Sequence, residues 1–275
     1  MINIGEYNNL VIARLVEFGA YLTDEDNNEI LLPMRYLGDH REGDTISVFV
    51  YTDSEDRPIA TTETPLATVN TFALMRVNSV NAVGAFLNWG LSGKELLVPF
   101  SEQKVKMLPG RSYVVYVYLD RNSGRVVASA NLNRFLSKEP PRYSYRQEVD
   151  LLIVKRTEIG YKAIVDSSHW GMVYQNETYH DLNVGDHCKG FVKLVRPDGK
   201  IDVTTEMNQR SRIRDISRKI LQHLEQNDGK MALNDNSSPS DIMSAFQCSK
   251  KDFKKAIGLL YKNRKIEISP EITLI

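Results

Sequence analysis

Two short stretches pair an aromatic ring with a glycine and small residues: "EFGAYLTDE" at 17–25 and "AVGAFLNWG" at 82–90. If each is a β-strand, alternation turns Ala20 and Leu22, or Ala85 and Leu87, inward and the ring of Tyr21 or Phe86 outward. An outward ring offers a flat face to an unpaired base, a contact worth about 1–3 kcal/mol. Around Phe86 the chain supplies Trp89, Phe100 and Tyr118 as further rings, and Arg125 as a cation to hold a phosphate or stack on a base. A second basic set lies near the C-terminus, where Lys250, Lys251, Lys254 and Lys255 precede Lys262, Arg264 and Lys265. Such cations neutralise phosphates and make affinity fall with salt. Each feature also has a plainer reading. Phe86 could pack on a neighbouring domain, Trp89 and Phe100 could anchor a core or loop, and the lysines could be the wet face of a helix.

Other chemistries find less support. The acidic run "TDEDNNE" at 23–29 lacks the glycine and closing bidentate Glu of a calcium loop and reads as a hairpin tip. His169, His180 and His187 have no cysteine pair beside them, so no zinc site is expected. "SSHWG" reads as a turn with Trp170 buried or half-buried. No glycine-rich phosphate loop and no Ser–His–Asp set at a strained turn is visible, so neither catalysis nor a cofactor is expected. Cys188 and Cys248 are 60 positions apart and suggest free thiols in a cytoplasmic protein. No run of 18 apolar residues and no secretion leader is seen.

The elements that must position these rings recur. From the first glycine to a later turn glycine the distance is 24 residues (Gly19 to Gly43), 26 (Gly84 to Gly110) and 25 (Gly160 to Gly185). A module of about 60–70 residues is therefore used three times. "TISVFVY", "YVVYVYL" and "CKGFVKL" alternate with period two, and "DSEDRP", "DRNSGR" and "RPDGK" are turns between strands. Five short strands per module suit a small closed barrel, which leaves no exposed edge. After residue 210 the period changes. "RIRDISRKILQHLEQN" sets Ile213, Ile216, Ile220, Leu221 and Leu224 on one helical stripe. Ser238 with Pro239 and Asp241, and Ser249 with Asp252, cap two more helices. The last of these is expected to bury Phe253, Ile257, Leu260 and Tyr261, and "KIEISPEITLI" reads as two strands around Pro270.

The fold class expected is mainly β with a C-terminal α+β domain: three tandem OB-type five-stranded barrels followed by a winged helix. The domains are 1–66, 67–141, 142–210 and 211–275. A net charge of zero hides an uneven distribution: 13 acidic and 4 basic residues in 1–66, against 4 and 9 in 67–141, 10 and 10 in 142–210, and 8 and 12 in 211–275. Any polyanion site is thus expected in the second and fourth segments. The stretch "SKEPPRYS" at 137–144 suggests a partly extended linker.

"FGAYL" and "VGAFL", followed by "LLPMRY" or "LLVPFSE" and then "EGD" in the first copy, resemble the RNA-binding repeat of ribosomal protein S-one. That resemblance implies an OB-type barrel. It places a first aromatic position at Phe18, Val83 and Ile159, and a second at Tyr21, Phe86 and Lys162. A histidine position falls on Pro33, Pro99 and Tyr174, and a basic position on Arg57, Arg125 and Lys200. Three such barrels and a winged helix, with "LNDNSSPSDIMSAFQCSKKDFKKAIGLLYKNRKI", resemble the conserved virulence factor B family of bacterial RNA-binding regulators. The resemblance implies RNA binding without catalysis and post-transcriptional effects on gene expression.

The expectation is a non-enzymatic protein that runs single-stranded RNA across the second barrel and towards the winged helix. Its RNA-contacting residues are Phe18, Tyr21, Arg57, Phe86, Trp89, Phe100, Tyr118, Arg125, Tyr174, Lys200, Lys250, Lys251, Lys254 and Lys255. No metal and no membrane takes part. For the winged helix, DNA or a protein partner stays open. The rival reading is an interaction scaffold attached to the ribosome or the transcription machinery, and a third is an RNA-processing enzyme.

Overall fold

The computed structural model describes every residue except 54, 176, 177, 179, 180, 206–208, 269 and 270, and the side chains of 209–212. His180 and the turn residue Pro270 therefore lie outside the described residues. The chain divides into two compact units, Met1–Leu136 and Ser137–Ile275.

The first unit opens with β1 (Tyr7–Val16), β2 (Gly19–Thr23), β3 (Glu29–Pro33), β4 (Thr45–Thr52) and β5 (Pro58–Thr61), closed in the order β1-β2-β3-β5-β4. Leu10, Ile12, Ala20, Leu22, Leu32, Val48 and Val50 fill its interior. The next module has β6 (Phe72–Val80), β7 (Gly84–Leu91), β8 (Lys94–Pro99), β9 (Ser112–Leu119) and β10 (Val126–Ser129), ordered β10-β9-β6-β7-β8. Here β8 and β10 lie side by side without a hydrogen-bonded ladder, so this barrel has a seam.

The second unit starts with a closed barrel of β11 (Glu148–Thr157), β12 (Gly160–Val165), β13 (His169–Tyr174), β14 (His187–Val195) and β15 (Ile201–Thr204). After it come α1 (Gln209–Gln226), β16 (Lys230–Met231), α2 (Pro239–Phe246), α3 (Lys250–Lys262), β17 (Ile266–Ile268) and β18 (Ile272–Leu274). The last three strands form a sheet in the order β16-β18-β17, the wing of a winged helix. The strand β16 was not anticipated: two residues give no readable period.

The repeat is visible in the backbone. The first strand of each barrel carries a bulge at the same place, after Ile12, Val77 and Ile153. The extra residue bends that strand so that it can pair on both sides and curl the sheet. The amides of Gly43, Gly110 and Gly185 donate to the carbonyls of those three residues, each at 2.8 Å. At the other recurrent glycine the fit is steric. A Cβ on Gly19, Gly84 or Gly160 would stand 2.1, 2.2 or 2.1 Å from the carbonyl oxygen of Leu32, Val98 or Val173.

Two packing details depart from expectation. Trp89 is 1% exposed, its indole N–H donating to the Ala67 carbonyl at 2.8 Å and its ring edge-on to Phe49 at 5.5 Å. Phe49 belongs to the first barrel, so one apolar cluster spans both barrels of the first unit. In α3, Phe253, Ile257 and Leu260 are buried as expected, but Tyr261 is 58% exposed, one position beyond the buried stripe. Both helix caps form: Ser238 Oγ accepts from the Asp241 amide at 3.1 Å, and Ser249 Oγ from the Asp252 amide at 3.2 Å.

Candidate nucleic-acid interface

On the second barrel, Phe86 lies on the outer face of β7, between Ser79 of β6 and Leu97 of β8. Its ring is partly buried and not sealed inside. The rings expected around it do not converge. Trp89 points into the shared core and is removed from the candidate surface. Strand alternation puts it on the inward face with Ala85 and Leu87, and Phe49 and Tyr51 of the preceding barrel provide an apolar seat for it. Tyr118 packs on Phe135, with centroids 5.2 Å apart, under the Arg134 guanidinium at 5.6 Å. Burial, then the nearby Glu102 carboxylate, push its phenol pKa up. Phe100 is 44% exposed at the end of β8, its amide donating to the Val83 carbonyl at 3.3 Å. Arg125 is engaged, its Nε and Nη2 donating to the two carboxylate oxygens of Asp56.

The first barrel keeps its rings but not its cations. Phe18 is 58% exposed and meets Tyr21 edge-on at 6.5 Å. Over Tyr21 lies the Arg14 guanidinium at 3.8 Å, itself paired with Glu29 at 2.8 Å. Arg57 is held by Asp53 and Glu55, both at 2.8 Å. With those two cations neutralised by neighbours, the surplus of carboxylates repels phosphate.

The third barrel supplies the arrangement that the sequence did not reveal. Trp170, Met172 and Tyr174 alternate on the outer face of β13, all half-buried. Trp170 and Tyr174 are then roughly 13 Å apart along the strand. Lys162 of β12 places its ammonium 3.6 Å from the centre of the Trp170 ring. Arg196 donates to the Tyr174 hydroxyl at 3.4 Å and to Asp202 at 3.0 Å. Lys200, by contrast, is folded onto Asp198 at 2.8 Å. Trp170 reads as part of a turn because "SSHWG" is rich in turn formers. The period-two run of Trp170, Met172 and Tyr174 was the signal available.

On α3 the lysines divide into two sets. Lys250 donates to the Asn236 carbonyl at 3.3 Å and Lys254 pairs with Asp235 at 3.6 Å, both reaching the loop before α2. Lys251, Lys255 and Lys262 have no ion-pair partner among the described residues, and with Gly258 they form a stripe at spacings of four, three and four. A Cβ on Gly258 would meet nothing within 4 Å, so no internal contact requires glycine there. A comparable set on the second barrel, Arg76, Lys104, Lys106 and Arg111, is likewise exposed and unpaired among the described residues.

Residues 218–274 match the CvfB-like winged helix domain, and residues 4–63 match the S1 domain. The chain resembles conserved virulence factor B. It is 26% identical over 267 residues to conserved virulence factor B of Staphylococcus aureus strain MRSA252, covering 93% of this chain and 89% of that one. It is 25% identical over 272 residues to the Bacillus subtilis protein YitL, covering 95% and 90%. A solved multidomain protein with nucleic acid binding domains from Streptococcus pneumoniae is 25% identical, with 99% and 98% coverage and a TM-score of 0.44. The two matched segments, an S1 domain and a CvfB-like winged helix, are nucleic-acid-binding domain types. Among the described residues, no group of three or more His, Cys, Asp and Glu side chains is placed to hold a metal, and no helix is long and apolar enough to cross a membrane.

Proposed function

We propose that this chain is a cytoplasmic, non-enzymatic protein that binds single-stranded RNA and acts after transcription. It is read as four modules, 1–66, 67–141, 142–210 and 211–275, the last beginning a little earlier with α1. Bases stack on Trp170 and Tyr174 of the third barrel, with Lys162 and Arg196 beside them. Phosphates are held by Lys251, Lys255 and Lys262 of α3. Phe86, Phe100, Phe18 and Tyr21 act as weaker, secondary stacking positions. Contacts of this kind read ring faces and backbone charge, so base preference is modest.

The observation that supports this most is the row of two rings on β13 flanked by two cations. It also provides the assay. The chain has two tryptophans, and Trp89 is buried. Titrating the full chain with an oligouridylate should quench the emission of Trp170 alone. Trp170→Ala should weaken binding by about 1–3 kcal/mol, roughly 5- to 150-fold. Replacing Lys251 and Lys255 together should make the log–log salt slope shallower by about 1.4, some 0.7 for each lost phosphate contact. No quenching, or binding indifferent to salt, would turn the case towards the protein-docking alternative.

A further inference from the structure

The ion pair between Arg125 and Asp56 joins residues 69 positions apart, one from each barrel of the first unit. Arg125 sits at the head of β10 and Lys94 at the head of β8, the two strands that meet at the unladdered seam. Lys94 is half-buried and donates to the Asp53 carbonyl at 3.2 Å. Burial, then the like charge of Arg125, pull its pKa down. Two cations held close, one of them partly desolvated, require an anion between or beside them. The second barrel provides none. The anionic and carbonyl oxygens both come from the acidic turn after β4 of the first barrel, from Asp56 and Asp53.

We propose that this acidic turn is an intramolecular stand-in for a phosphodiester, seated on Arg125 and Lys94, and that polyanion binding at this seam requires its displacement. Two parallel N–H···O bonds on a carboxylate are the geometry with which a guanidinium also grips phosphate. The contact is built to be released. Both partners are about half exposed, and such pairs are weak in water. The barrels do not depend on it to stay together. Trp89 is seated on Phe49, the Leu66 amide donates to the Trp89 carbonyl at 2.7 Å, and the Ser92 amide donates to Glu63 at 2.7 Å. Asp56 can therefore release Arg125 without the two barrels separating. Displacement by RNA rests on the function proposed above; the mask itself does not.

Asp56 has φ +64°, a conformation that asparagine tolerates well, so Asp56→Asn removes the charge and leaves the turn intact. In the full chain this variant should bind inorganic pyrophosphate, measured by titration calorimetry, roughly 3- to 10-fold more tightly than the parent. The gain should exceed that of Asp39→Asn, an equal charge change elsewhere on the first barrel, and should vanish in an Arg125→Ala background. Affinity for an oligouridylate should rise in parallel. If pyrophosphate gains and the oligouridylate does not, the mask stands and RNA is not its competitor. If pyrophosphate gains no more than with Asp39→Asn, or if Asp56→Asn unfolds the first unit, the pair is a structural tie and the proposal is overturned.

Discussion

Gly19 shows how a single residue carries the module. Its backbone runs against the Leu32 carbonyl where β2 enters the sheet, and even one methyl group would overlap that oxygen. A carbonyl in a paired strand cannot move aside as a flexible side chain can. Gly19→Ala should therefore cost more than about 1 kcal/mol, read as a lower urea midpoint, although it removes no contact. Trp89 makes the complementary point. Its ring is sealed between two barrels, so Trp89→Ala should cost about 3–5 kcal/mol. Hydrogen exchange should then rise in β4 as well as β7, because the cavity is shared. An effect confined to the second barrel would contradict the common core.

At the scale of the element, α3 holds two opposed effects. Ser249 accepts the Asp252 amide and its hydroxyl reaches the Asp252 carboxylate at 2.6 Å, a well-closed helix start. Ser249→Ala should lower stability by about 1 kcal/mol in thermal unfolding. Gly258 does the reverse. It sits exposed in the helix interior with empty space where a Cβ would be, so Gly258→Ala should raise stability by about 1 kcal/mol. A glycine that weakens its helix and touches nothing fits a backbone kept bare for close approach along the lysine stripe. Much of this element was legible beforehand, since caps and the apolar stripe follow local rules. Which lysines stay unpaired was not, because Asp235 and Asn236 reach Lys254 and Lys250 from a separate loop.

At the scale of the molecule, one ion pair, Arg125 with Asp56, joins two modules. The Asp56 carboxyl is held below the ordinary carboxylate range, first by the hydrogen bonds from Arg125 and then by its charge. A carboxyl with a lowered folded pKa stabilises the fold above its unfolded pKa of about 3.9, and that contribution is lost as pH falls through the folded value. The difference in melting temperature between the parent chain and Asp56→Asn should thus be present at neutral pH and vanish in strong acid. A difference that persisted in acid would mean the pair acts by something other than charge.

Three barrels and a winged helix could be read from the chain because their signals are local and repeated: glycines at 24 to 26 residues, alternation, caps and a change of period. Inward and outward positions on β2 and β7 followed from the same alternation, and Ala20, Leu22, Ala85 and Leu87 are buried. Which surface is usable was decided by tertiary structure. Trp89 shares the inward face of β7 with Ala85 and Leu87 but is seated on a ring of another barrel, Arg125 is closed by a residue 69 positions away, and Trp170 gains its cation from a neighbouring strand. Local sequence determines the direction a side chain takes from its strand. Only the packed chain determines what that side chain meets there.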